Sequence, residues 1–266
     1  MKFKPLYTSK ANEYELFNKK YGYFSKGSKS LVQLTDFSGA SLVVDLCCGT
    51  GITSEEIRKV YSDKIVGIEK SENMINIAEK KFVKDKNIQF IIGNAENLPD
   101  YLERLERVDI ILCNCGLQFL NLEKTFQSIS CVLKGDGIFI FNLAPDFYEP
   151  LESTNTFHTI FRGKYIKQIA GGKYVGEEFE KINYQGLLSI LKRNGFNLIK
   201  YKIEKLPCSF DEEKDFVKLF TSSQILYSST QKDRDKIIKE ALKWARKNEK
   251  ENELYNEIIN FLTVKR

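Results

Sequence analysis

The run Val43-Val44-Asp45-Leu46-Cys47-Cys48-Gly49-Thr50-Gly51 narrows the possibilities more than any other part of the chain. It starts as a β-rich apolar stretch and ends on two glycines where a helical pattern takes over, so it reads as strand, tight turn and helix N-terminus. Glycines at such a turn let the backbone reverse sharply and approach a ligand, while the helix presents N–H groups that have no intrahelical partner. A nucleotide-like ligand is implied. A dinucleotide pyrophosphate asks for three glycines spaced G-x-G-x-x-G; here only Gly49 and Gly51 are present, with Asp45 ahead of them. The carboxylate argues for a ligand that carries positive charge.

Around this feature, short apolar runs alternate with helical patterns, the signature of a parallel sheet flanked by helices. Residues 41–46, 64–69, 87–92, 108–113 and 137–141 read as strands. The helix after the second run is capped by Ser71 and carries Met74, Ile75, Ala78 and Phe82 on one face. Residues 145–181 hold aromatic and basic residues, a Gly171-Gly172 pair and little periodicity, so they read as an insertion. A helix resumes near Ile182 and ends at Asn194-Gly195, a natural C-cap pair. Strands over 196–206 and 258–264 then resemble the arms of a hairpin with helices inserted between them. Residues 1–38, with a short helical pattern over 14–18, read as a cap. The expectation is one α/β domain spanning 1–266. It has a Rossmann-like, seven-stranded, mostly parallel sheet, helices on both faces, a C-terminal antiparallel hairpin, and helical lid insertions at 145–181 and 207–255.

Composition excludes several classes. The net charge of +5 is a small difference between 41 basic and 36 acidic residues that are interspersed, which makes nucleic acid a weak candidate. No stretch approaches the roughly 20 apolar residues of a membrane helix, and Met1-Lys2-Phe3-Lys4-Pro5 does not begin a signal peptide. A cytoplasmic protein with reduced cysteines is expected. Cys113-Asn114-Cys115 lacks the spacing of zinc pairs and His158 is the single histidine, so no metal site is expected.

The glycine turn resembles the first motif of the class I S-adenosylmethionine-dependent methyltransferases, D-L-G-C-G-T-G. Asp45, Cys48, Gly49, Thr50 and Gly51 match it, and Cys47 stands at its first glycine, as in ubiquinone and menaquinone methyltransferases. The segment from Val66 to Ile75 resembles the second motif. There Glu69 ends a strand roughly 20 residues after the glycines, where a carboxylate accepts both ribose hydroxyls, with Lys70 and Met74 beside it. Gly93-Asn94-Ala95-Glu96-Asn97-Leu98-Pro99 resembles the family's G-D-A-E-x-L-P segment beside the adenine, with Asn94 for the usual Asp; an amide still accepts from the adenine amino group. Cys113-Asn114-Cys115-Gly116-Leu117-Gln118 resembles the N-x-A-L-Q-W segment of small-molecule enzymes, including trans-aconitate and malonyl carrier-protein methyltransferases. That resemblance implies Asn114 and Gln118 near the methionine end and the transferred methyl. Neither the N/D-P-P-Y/F segment of amino-group enzymes nor the Pro-Cys or Thr-Cys nucleophile of RNA cytosine C5 enzymes is found there. The likeness covers residues 38–145, and the C-terminal third only in its strand pattern.

Plainer readings stand beside these. Asp45 also suits a helix N-cap, Glu69 a solvated strand end, and asparagines at strand ends often serve the turn alone. His158 falls in the first insertion, where a general base would be useful, yet a lone histidine is more often a surface or packing residue. Lys232 to Lys250 is a basic amphipathic helix whose charged face is solvated or, secondarily, docks an acidic carrier protein. The resemblance implies S-adenosylmethionine as cofactor and in-line methyl transfer to O, N or C of a small-molecule acceptor. The alternatives are an enzyme like the malonyl carrier-protein O-methyltransferase and a non-catalytic S-adenosylmethionine-binding partner subunit.

Overall fold

A computed structural model describes residues 11–102, 107–143, 148–149, 182–208 and 254–266, together with Lys232, Lys236, Lys239 and Lys243. The expected strands form as β1 (Leu42–Leu46), β2 (Lys64–Glu69), β3 (Ile88–Ile92), β4 (Val108–Cys113) and β5 (Leu133–Leu143). Two-residue strands β6 (Tyr148–Glu149) and β7 (Ile182–Asn183) pair in parallel as a separate small sheet. The long arms β8 (Phe196–Cys208) and β9 (Leu254–Lys265) close the main sheet. Its seven strands lie in the order β3-β2-β1-β4-β5-β9-β8. Pairings are parallel from β3 to β5, and β9 runs antiparallel to both neighbours. Strand order therefore reverses between β1 and β4, the place at which open α/β sheets take ligands beyond the carboxyl ends of their strands.

The helices are α1 (Ala11–Tyr21), α2 (Tyr23–Gln33), α3 (Ile52–Arg58), α4 (Glu72–Lys81), α5 (Leu98–Leu102), α6 (Leu122–Val132) and α7 (Tyr184–Arg193). Their ends are set locally: Ser71 caps α4 by accepting from Met74 N, and Asn121 caps α6 by accepting from Lys124 N. Because successive strand residues point to opposite faces, β1 feeds two cores. Val44 and Leu46 join Phe126, Ile129, Phe139 and Leu187 under α5 to α7. Val43 joins Ile65, Ile110, Leu112 and Ile140 under α2 and α3. Phe126 touches Phe139, Phe141 and Phe196 at ring-centre distances of 5.5–6.4 Å.

The N-terminal segment departs from the expectation. Instead of a short helix over 14–18 it forms α1 and α2, and Leu31 and Val32 of α2 are buried against the sheet, so α2 is core rather than a mere cap. The joint between the two helices is Gly22 at φ 63°, and the first N–H groups of α2 are met from across that joint: Asn18 Oδ1 accepts from Phe24 N at 3.0 Å and Ser25 N at 3.1 Å. β5 also begins earlier than residue 137, and α7 starts at Tyr184 after Asn183 accepts from Gly186 N. The insertions at 145–181 and 207–255, with His158, fall almost wholly outside the described residues, which show exposed, helical Lys232, Lys236, Lys239 and Lys243. Among the described residues no helix is long and apolar enough to cross a membrane.

Candidate functional site

Asp45, Glu69, Asn94 and Asn114 lie at, or within two residues of, the carboxyl ends of the parallel strands β1 to β4. The turn after β1 is held by Cys48 N donating to Ile68 O at 3.1 Å and Gly51 N to Cys48 O at 2.8 Å. Gly49 and Gly51 take φ of 54° and 79°, and Cys47 sits at 57°, the left-handed region in which a side chain costs about 1–2 kcal/mol. A glycine would rest at position 47 without strain. What accommodates the cysteine is Gly116, where an added Cβ would lie 2.6 Å from Cys47 Cβ and 3.0 Å from the sulfurs of Cys47 and Cys113.

Asp45 is 1% exposed, and Ser54 Oγ of α3 donates to its Oδ2 at 2.6 Å. Its Oδ1 is buried with no hydrogen-bond partner among the described residues. Burial pushes the carboxyl up to about 7, against the Ser54 hydrogen bonds that pull it down. A buried acceptor of this kind costs free energy until a donor or cation meets it. Glu69 spans two turns, with Oε1 accepting from Ser71 N at 2.8 Å and Oε2 from Gly49 N at 3.3 Å. Burial raises its carboxyl too, while the Ser71, Gly49 and Lys70 donors oppose the shift. Gly93 N donates to Glu69 O at 2.9 Å, which ties the Asn94 turn to this cluster.

Other residues singled out by the sequence carry structural tasks. Thr50 is buried and donates to Glu15 Oε2 at 2.5 Å, and Glu15 pairs with Lys81 of α4 at 2.7 Å. Lys70 is exposed, while Met74 and Ala95 are buried. Asn94 Oδ1 accepts from Glu96 N at 3.2 Å and starts the 3-10 turn Ala95–Asn97, and Glu96 Oε1 accepts from Asn121 N at 3.0 Å. The Asn114 amide is taken up entirely by protein. Its Nδ2 donates to Phe24 O at 3.1 Å and Ser28 Oγ at 3.0 Å, and its Oδ1 accepts from Asn142 Nδ2 at 2.8 Å. Gln118, in the 3-10 turn Leu117–Phe119, keeps Oε1 buried with no partner among the described residues.

Sequence reasoning missed the contribution of α1 and α2. Tyr14 OH lies 4.0 Å from where a Gly49 Cβ would stand, and Ser28 Oγ is 2.9 Å from Thr53 Oγ1 in the first turn of α3. The available signal was the cluster of Tyr14, Phe17, Tyr21 and Phe24 before the first strand. The described cysteines Cys47, Cys48, Cys113, Cys115 and Cys131 are free, and no cluster of metal-ligating side chains occurs among the described residues.

Residues 38–184 match the methyltransferase-domain family. A probable S-adenosylmethionine-dependent methyltransferase of Saccharomyces cerevisiae is 33% identical over 134 residues, 47% of this chain and 45% of the yeast protein. The chain belongs to the S-adenosylmethionine-dependent methyltransferases. The aligned stretch spans less than half of the yeast methyltransferase's length. A ubiquinone/menaquinone biosynthesis C-methyltransferase of Campylobacter jejuni is 29% identical over 184 residues, covering 60% of this chain and 72% of that one. Among solved structures, the YcgJ protein of Bacillus subtilis superposes with a TM-score of 0.59 at 18% identity, covering 90% and 98% of the two chains, a likeness of fold.

Proposed function

We propose that this methyltransferase carries the methyl of S-adenosylmethionine to an O, N or C atom of a small-molecule metabolite. The observation that carries the reading is Asp45. It is a buried carboxyl with one unbonded oxygen, on the ligand side of a glycine turn, and it suits the cationic methionine end of this cofactor. Glu69 would exchange its contacts with Gly49 N and Ser71 N for the ribose hydroxyls, and Asn94, Ala95 and Glu96 would flank the adenine with Lys70 and Met74. Gly49, Thr50 and Gly51 would supply backbone, Cys47 would border the methionine chain, and Gln118 would stand at the methyl end with Asn114 fixing its turn.

When bound, the cofactor supplies an electrophilic methyl on sulfur. The chain's own work is to align it with the acceptor and exclude water, which accounts for much of the acceleration in such displacements. A base is required only for an acceptor that must lose a proton, and His158 is the candidate. We place acceptor selection in residues 145–181 and 207–255, over the carboxyl edge of the sheet.

Titration calorimetry tests this reading. Wild type should bind S-adenosylmethionine and S-adenosylhomocysteine, and Glu69→Ala should weaken both at least about tenfold by removing two charge-assisted hydrogen bonds. Absence of binding to wild type would overturn the reading.

A carrier-protein-linked acceptor is the second reading. The malonyl-[acyl-carrier protein] O-methyltransferase of Halalkalibacterium halodurans is 30% identical over 111 residues, and Lys232, Lys236, Lys239 and Lys243 are exposed at one-face helical spacing. A gel-shift with acidic acyl carrier protein decides it. Cofactor binding without turnover on any metabolite extract would favour the non-catalytic partner subunit, and tight retention on heparin would reopen nucleic acid.

A further inference from the structure

Asn142 is a fully buried amide in β5, on the sheet face that α2 covers, where an aliphatic side chain would be the simpler filling. Its hydrogen bonds show why it is there. Oδ1 accepts from Cys115 N at 2.7 Å, and Nδ2 donates to Asn114 Oδ1 at 2.8 Å. Cys115 takes φ 53°, a left-handed conformation unusual for a residue with a side chain, so the Asn142 carbonyl secures the strained point of the turn after β4. Asn114, fixed on its Oδ1 side, hands the chain of bonds on to Phe24 O and Ser28 Oγ of α2, and Ser28 Oγ reaches Thr53 Oγ1 of α3. The strap runs from β5 through the Asn114 turn and across α2 to the helix that follows Gly51. Asn114 cannot flip within it, because its carbonyl would then face that of Phe24.

We propose that Asn142 is a positioning residue for the methyl-donor end of the site, setting the Cys113–Gly116 turn and through it the seat of α2 beside the glycine turn. The inference rests on the methyltransferase reading and adds a residue outside the recognised motifs.

The test is Asn142→Asp, with S-adenosylmethionine affinity measured against wild type at each pH from about 8 down to 5.5. As a carboxylate, the new side chain still accepts from Cys115 N but opposes Asn114 Oδ1; once protonated, it donates to that oxygen and restores the strap. The groups that face Asn142 leave this window clear. Burial pushes the facing Cys115 thiol up to about 12. One strand beyond Asn260, Glu204 is held below its ordinary value, since the upward push of burial is outweighed by Lys202 and by the Ser30 and Asn260 contacts. The charges of α2 are Lys26 and Lys29, with no carboxylate. Asp45 and Glu69 titrate alike in both proteins and cancel in the ratio.

Expected is an affinity about tenfold or more below wild type at the upper pH, with the deficit closing as pH falls. A deficit independent of pH, or none, overturns the proposal. Gly27→Ala provides an independent check. Its new Cβ would stand 2.8 Å from Asn114 Oδ1, while alanine favours the helix, so it should fold and bind more weakly; wild-type affinity there also overturns the proposal. Wild type that binds no S-adenosylmethionine would instead sink the functional reading itself.

Discussion

Asp45 of β1 is buried against α3, and that burial pushes its carboxyl up to about 7. Its folded value is raised above that of the unfolded chain. The stability it contributes is therefore complete below the ordinary carboxylate range and is lost as pH climbs through about 7. Asp45→Asn has no charge to bury, so its unfolding free energy relative to wild type, from denaturant titrations, should rise between about pH 4 and 7 and level off above, with a limiting slope of about 1.4 kcal/mol per pH unit. A flat difference would mean that Asp45 titrates normally. A cationic ligand favours the ionised form, so binding below pH 7 should release a proton, seen as a calorimetric heat that changes with buffer ionisation enthalpy. Asp45 and Glu69 were legible in the sequence because a glycine turn at a strand end admits few residue types and fixes their spacing. Glu15, Ser28 and Asn142 were not, since each reaches its partner across a long stretch of chain and nothing local marks it.

At the level of elements, β1 is pinned at its start by Asp109 of β4. Its Oδ2 accepts from Ser41 N at 2.9 Å and Leu42 N at 3.0 Å, and its Oδ1 meets Lys134 Nζ at 2.6 Å. Burial pushes this carboxyl up, but Lys134 and the Ser41 and Leu42 donors outweigh it and hold the group below its ordinary value, so its stabilisation fades as pH falls through the acid range. Asp109→Ala should cost about 1–3 kcal/mol in denaturant unfolding at neutral pH, and a smaller loss in acid. The parallel strands were legible because they are continuous apolar runs, as a sheet covered on both faces requires. Helix α2 was not. Gly27, Ser28 and Ser30 share its buried side with Leu31, and the serine hydrogen bonds with Asn114, Thr53 and Asn260 replace the apolar periodicity that marks a helix.

For the molecule as a whole, α2 closes one of two cores. A chain begun at residue 39 would uncover Val43, Ile65, Ile110, Leu112 and Ile140. It should therefore lose its cooperative melting transition, measurable by circular dichroism; a sharp transition retained would show that the N-terminal helices only decorate the fold. On the opposite core, Phe126→Ala should cost about 3–5 kcal/mol by emptying a ring-lined space.

The pairing of Cys208 with Leu254 has a consequence for how this chain diversifies. That rung joins β8 to β9 at the far end of a ladder running from Phe196↔Lys265, so the register is fixed by the arms themselves. Each doubling of a flexible connection between two such arms costs only about 0.6 kcal/mol of closure entropy. Replacing residues 209–253 by a tight turn should therefore leave a sheet that still melts cooperatively, and under the proposed function it should bind S-adenosylmethionine while its choice of acceptor changes.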